Sequence, residues 1–214
     1  MALFKDRYDA GRQLARILKK FRDENVVILA LPRGGVPVAF EVAKYLDAEM
    51  DIFLVKKIGV PKREELAMGA IATGGVRILN KNIIDIMNIS DETIEETSEK
   101  EKKELERREK KYRDERPFPS LKNKTAILID DGLATGASMR AAIKALRELN
   151  PAKIVVAVPT ASQSICREFE SETDEIICAY TPVVFKGVGE WYEDFSQTTD
   201  DEVIGLISMA KSSH

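Results

Sequence analysis

The sequence predicts an α/β fold, a doubly wound, mainly parallel five-stranded sheet. Three observations carry that expectation. Short runs at 26–30, 52–55, 126–129, 154–158 and 176–180 are almost continuously apolar. They are rich in Val and Ile and do not alternate with polar residues, as strands buried on both faces do. Helical spacings lie between them, and strand–helix alternation winds a parallel sheet.

Taken in order, Leu14, Ile17, Leu18 and Phe21 fall at i, i+3, i+4 and i+7 and mark a first helix near 7–22. The strand at 26–30 ends in Arg33-Gly34-Gly35, and a helix starts near Val36. The run at 52–55 leads into Lys56 and Lys57, expected on the same rim of the sheet. Segment 70–79 reads as two short strands joined around Thr73-Gly74-Gly75. Segment 90–116 is dominated by charge, with Glu96/Lys100, Glu99/Lys103 and Glu106/Lys110 at i,i+4. Such pairs add a few tenths of a kcal/mol each to a helix, and the thin stripe of Ile94, Leu105 and Tyr112 predicts a solvated one, inserted into the core fold. Pro117 and Pro119 close it. Met139, Ala142, Ile143 and Leu146 repeat the helical spacing until Asn150-Pro151 stops it. With no internal repeat or linker, residues 1–214 read as a single domain.

Composition narrows the function classes. The 214 residues are 44% hydrophobic and 32% charged, with formal net charge −3, so no global attraction to nucleic acid or membrane is expected. No apolar run reaches the roughly 18–20 residues that span a bilayer. The stretch MALFKDRYDAGRQ has no apolar signal core, so a cytoplasmic protein is expected. Cys166 and Cys178 lie in apolar surroundings without CxxC spacing and are expected to be free buried thiols. The sole histidine is His214, the last residue, expected to fray. Histidine bases, Ser-His-Asp triads and histidine-held metals are thereby excluded from the expectation. Chemistry is left to carboxylates, Lys, Arg, hydroxyls, backbone amides or a bound cation.

The most informative stretch is TAILIDDGLATGASMR, residues 125–140. Small residues Gly132, Ala134, Gly136 and Ala137 let the backbone curl so that successive N–H groups face an anion. Thr135 and Ser138 add hydroxyl donors, and the next helix adds its positive end. Asp130 and Asp131 stand at a strand's carboxyl end, where α/β sheets place ligands. Acids beside a phosphate cradle suit a ligand that also carries hydroxyls or a divalent cation. No G-x-x-x-x-G-K-[ST] or G-x-G-x-x-G competes.

TAILIDDGLATGAS resembles the phosphoribosyl pyrophosphate motif of the type I phosphoribosyltransferase family. The resemblance implies that Asp130 and Asp131 hold the ribose hydroxyls and that Ala134 to Ser138 enclose the 5′-phosphate. Some purine-using relatives carry a third acid in this loop as general base; here the position is Ala134. Arg33-Gly34-Gly35 resembles the family's pyrophosphate loop, which often contains a cis peptide. Lys56 and Lys57 resemble the basic pair that contacts pyrophosphate in orotate-type members, with equal weight on each, and segment 61–68 with Glu64 and Glu65 corresponds to the mobile catalytic loop. Segment 181–198, with Phe185, Trp191 and Tyr192, corresponds to the base-binding hood, although the same aromatics also suit pinning a C-terminal helix to the sheet.

Taken together, the resemblance implies transfer of 5-phosphoribosyl from phosphoribosyl pyrophosphate to a nitrogenous, nucleobase-like acceptor, with release of pyrophosphate. Arg33, Asp130 and Asp131 are the implied catalytic residues. Mg²⁺ is the implied cofactor, held weakly through Asp130 or Asp131. A non-catalytic sensor of phosphoribosyl pyrophosphate or a nucleotide is the alternative. Family members are often dimers, and the charged helix offers a surface for a homodimer.

Overall fold

The computed structural model describes residues 2–113 and 116–211. Strand β1 (Val26–Ala30) is buried at every position, as is β6 (Thr125–Ile129). They pair in parallel at the centre of a five-stranded sheet that also contains β2 (Glu49–Ile52), β7 (Lys153–Thr160) and β8 (Glu175–Tyr180). The five-stranded sheet is parallel throughout, where a mainly parallel one was expected, and its order is β2-β1-β6-β7-β8.

Neighbouring residues on a strand point to opposite faces. Ile28 therefore joins one apolar cluster with Leu14, Val38 and Val203, from α1 (Arg7–Ile17), α2 (Gly35–Leu46) and α7 (Asp200–Lys211). Val27 and Leu29 join the other with Met139, Ile143 and Phe169, from α5 (Ala137–Glu148) and α6 (Gln163–Phe169). The helices that follow β1 and β6 thus cover opposite faces. The crevice that binds ligands in such sheets opens between two strands of that kind.

The run expected as one strand at 52–55 divides. β2 stops at Ile52, and the chain turns where Leu54 N donates to Thr73 Oγ1 and Thr73 N to the Leu54 carbonyl, each at 2.9 Å. A separate antiparallel sheet begins there, with β3 (Val55–Val60), β4 (Arg63–Ala72) and β5 (Val76–Leu79). Lys56 and Lys57 lie on this second sheet and not on the rim of the parallel one. Segment 61–68 is the turn and first half of a hairpin and not a free loop, with Lys62 at φ 66° and with breaks in register on either side of Gly59. The turn expected at Thr73-Gly74-Gly75 is present, its glycines at φ 84° and 73°, where a side chain would be strained.

After a short α3 (Lys81–Ile86) comes the charged helix, α4 (Asp91–Arg113). It is long, as expected, but not simply solvated. Ile94, Ser98, Leu105, Tyr112 and Arg113 are buried. Cross-element ion pairs fasten it: Lys56–Glu101 at 2.6 Å, Arg77–Glu95 at 2.7 Å, Lys111–Asp200 at 2.5 Å and Arg113–Asp51 at 2.9 Å. Asp114 and Glu115, within the predicted insertion, and His214 lie outside the described residues.

Cys166 and Cys178 are joined in a disulfide, not free. The short helix α6 leads back into β8, and partners only 12 residues apart meet between consecutive elements. Among the described residues no helix is long and apolar enough to cross a membrane.

Candidate active site

The ends of β1 and β6 meet so closely that two side chains have to be absent. A Cβ on Gly35 would lie 2.6 Å from the Ile129 carbonyl oxygen and 2.9 Å from Asp130 Cα. One on Gly34 would lie 2.0 Å from Asp131 Oδ2. The glycine pair therefore seats directly on the acidic pair, and the Pro32–Arg33 peptide leading into it is cis. Leu31 N donates to the Ile129 carbonyl at 2.9 Å, continuing the β1–β6 pairing into the loop.

Beyond the acids, Leu133 N donates to the Thr160 carbonyl at 3.0 Å, which carries the loop past the end of β7. Gly136 then takes φ 69°, and a Cβ there would run into the Phe169 ring at 2.6 Å. The amides of Ala134, Thr135, Gly136 and Ser138 donate to no acceptor among the described residues. All but that of Gly136 belong to exposed residues. Unpaired N–H groups at the start of a helix bind anions through both hydrogen bonds and the helix dipole. Arg140 braces the loop from outside, donating to the Thr135 carbonyl at 2.8 Å while pairing with Glu168 and Glu172.

Burial pushes the Asp130 carboxyl well above the ordinary aspartate range, and the charge of Asp131 adds to the rise. Asp131 is also raised by burial, with Arg7 opposing. Arg7 Nε donates to Asp131 Oδ2 at 2.8 Å, and Arg7 Nη1 donates to the Ser196 carbonyl at 2.6 Å. Its guanidinium sits 4.0 Å from the centre of the Phe195 ring. Tyr192 Oη donates to the backbone carbonyl of Asp131 at 2.6 Å. A buried arginine from the first helix thus holds the second carboxylate, and a buried tyrosine from the C-terminal segment holds the backbone that carries it.

Sequence reasoning missed Arg7. One signal pointed to it. Arg7, Ala10, Gly11 and Leu14 share the buried face of α1 at i, i+3, i+4 and i+7, and an arginine on an apolar stripe demands a buried partner.

The other expected residues divide between two cavities. Lys57, Ala137, Arg140 and Lys144 line a cleft of about 810 Å³ between the antiparallel sheet and α5, so Lys57 shares a cavity with Ala137 alone of the expected loop residues. Lys56 turns to Glu101. Arg33 lines a second cavity of about 270 Å³ against α4, with Nη1 3.6 Å from Asp200. Among the hood aromatics, Tyr192 is buried between Phe4 and Phe195, with ring centres 5.2 and 5.0 Å away. Trp191 packs on Tyr180 at 5.3 Å, and Phe185 is half-buried beside exposed Val183 and Val184. Among the described residues no group of three His, Cys, Asp or Glu could hold a metal. The oxygens of Asp130 and Asp131 nonetheless suit a hard cation that brings ligands of its own.

Residues 5–190 match the phosphoribosyl transferase domain family. The chain belongs to that family. Rv0571c of Mycobacterium tuberculosis H37Rv, provisionally named a phosphoribosyl transferase, is 44% identical over 210 residues, which are 98% of this chain and 47% of that protein. The chain therefore spans about half the length of the curated relatives it matches. The crystal structure of TT1426 from Thermus thermophilus superposes with a TM-score of 0.84 at 38% identity, over 97% of this chain and 98% of that one. A ribose-phosphate pyrophosphokinase of Methanobrevibacter smithii is 27% identical over 135 residues, 63% of this chain and 33% of that protein. The phosphoribosyl transferase match takes in Arg7, both loops and the acid pair. It ends before Trp191, Tyr192 and α7.

Proposed function

We propose that the chain transfers 5-phosphoribosyl from magnesium-bound phosphoribosyl pyrophosphate to a nitrogenous base and releases pyrophosphate. One observation carries the reading: an acid pair under a glycine pair, followed at once by a row of unpaired backbone amides. Each part has a task in that reaction. The amides of Ala134, Thr135, Gly136 and Ser138, with the Thr135 and Ser138 hydroxyls, bind the 5′-phosphate. Asp130 and Asp131 accept hydrogen bonds from the ribose 2′- and 3′-hydroxyls; Arg7 keeps the Asp131 carboxylate from swinging away, and Tyr192 anchors its backbone.

Transfer builds positive charge at C1 of the ribose and negative charge on the departing diphosphate. Arg33 and Lys57 face that negative charge from two sides. Magnesium, when bound, offsets the diphosphate charge, and Asp130 or Asp131 supplies its protein oxygen. The acceptor fits in the cleft shared by Lys57 and Ala137. With Ala134 in the loop, no loop carboxylate takes the acceptor's proton.

Titration calorimetry with phosphoribosyl pyrophosphate and Mg²⁺ tests the donor site. Saturable binding by the wild type and its loss in Asp131→Ala are expected. No heat from the wild type would refute the assignment. A panel of bases assayed for pyrophosphate release tests the transfer. Binding without release for any base would replace the transferase reading with that of a sensor.

A further inference from the structure

The cavity of about 270 Å³ opens between the Arg33 loop, the carboxyl half of α4 and the start of α7. Four cations line it, Arg33, Arg107, Arg108 and Lys111, against a single carboxylate, Asp200. Glu104 pairs with Arg107 at 2.8 Å and Arg108 at 3.1 Å, so the group retains an excess of two positive charges. Three of the cations come from the charged helix and the fourth from the loop after β1. Cations from separate elements repel unless an anion joins them.

The anion now present belongs to the chain. Asp200 accepts from Lys111 Nζ and Tyr112 Oη, both at 2.5 Å, and lies 3.6 Å from Arg33 Nη1. Arg33 makes no other ion pair among the described residues. The hydrogen bonds from Lys111 and Tyr112 hold the Asp200 carboxyl down at about 2, so it stays charged. The cavity exceeds what one carboxylate fills, and arginine forks match phosphate oxygens in pairs.

We infer that Arg33, Arg107, Arg108 and Lys111 form a diphosphate-binding pocket in which Asp200 occupies the anion position while no diphosphate is bound. The inserted helix thereby supplies the cations that Lys56, turned to Glu101, does not. The inference rests on the proposed function only in naming the donor's own diphosphate as one source. Free pyrophosphate is the other.

The test is calorimetry on the full chain with magnesium pyrophosphate and, separately, ribose 5-phosphate, which reads the phosphate loop alone. Arg107 and Arg108 are exposed, so the Arg107→Ala/Arg108→Ala variant keeps its fold. It is expected to weaken pyrophosphate at least tenfold and to leave ribose 5-phosphate unchanged. Arg→Lys at both positions is expected to restore part of the loss. Asp200→Asn, which removes the resident charge, is expected to tighten pyrophosphate several-fold. Lys100→Ala/Lys103→Ala, on the same helix outside the cavity, is expected to change nothing.

Wild-type affinity in the double arginine variant, or an equal loss in the lysine control, overturns the pocket. If saturating phosphoribosyl pyrophosphate abolishes the pyrophosphate titration, the pocket holds the donor's diphosphate. If the titration persists, the pocket holds a free one. Failure of wild type to bind ribose 5-phosphate would sink the proposed function and leave the pyrophosphate comparison intact.

Discussion

Two carboxylates lie side by side at the end of β6, and burial with mutual repulsion pushes the Asp130 carboxyl well above its ordinary range. A raised folded value means that the native state binds the proton more tightly than the unfolded chain does. The resulting stability deficit is full above that value and shrinks as pH falls through it. It is gone below the ordinary aspartate range, about 4. Asp130→Asn is expected to raise the Tm at about pH 8 and to abolish binding of phosphoribosyl pyrophosphate, and the Tm gain is expected to vanish near about pH 4. Thermal melts at the two pH values check this. Gly34→Ala puts a methyl group 2.0 Å from Asp131 Oδ2. A loss of stability of about 1–3 kcal/mol, read by denaturant melts, and at least tenfold weaker donor binding are expected. At this scale the arrangement at TAILIDDGLATGAS, and the family it points to, were legible because the pattern is local: acids at a strand end, then small residues before a helix. Arg7 was not, because its partners Asp131 and Ser196 lie 124 and 189 residues away.

Elements that are buried on both faces declare themselves by continuous apolar sequence, which is why 26–30 was read to the residue. The same rule blurred β2 into β3. Ile52, Phe53, Leu54 and Val55 are all apolar, and the chain changes sheets among them without a polar mark. The charged helix was legible as a helix, but its docking was not, because ion pairs between elements leave no period in the sequence. Arg113 shows what that docking rests on. Its Nε reaches both oxygens of buried Asp51 and its Nη2 reaches the Ile52 carbonyl at 3.0 Å. Arg113→Ala leaves Asp51 buried without its partner, and a loss of about 3–5 kcal/mol in urea unfolding is expected. Adding Asp51→Asn is expected to recover part of it.

Across the whole molecule, the parallel sheet carries the acid pair and the loop of unpaired amides at its edge, and the antiparallel sheet forms one wall of the cleft that Ala137 also lines. A ligand that binds only the native state raises stability by RT ln(1 + [L]/Kd), about 2.7 kcal/mol at a hundredfold excess over Kd. For a chain of this size each kcal/mol moves the Tm by about 2–4 °C. Saturating phosphoribosyl pyrophosphate with Mg²⁺ is therefore expected to raise the Tm by roughly 5–11 °C, and by far less in Asp131→Ala; scanning fluorimetry reads both. The two cysteines were expected to be free because spacing alone does not say that a helix folds back onto the strand that follows it. The wall itself is one uninterrupted stretch, residues 55–79, hydrogen-bonded as a sheet of its own. Such a stretch is an exchangeable cassette. If the proposed transfer holds, a chimaera that imports another hairpin wall between Leu54 and Asn80, and preserves Lys56 and Arg77 as its rivets to Glu101 and Glu95, is expected to change which bases release pyrophosphate while ribose 5-phosphate binds with the same affinity in calorimetry.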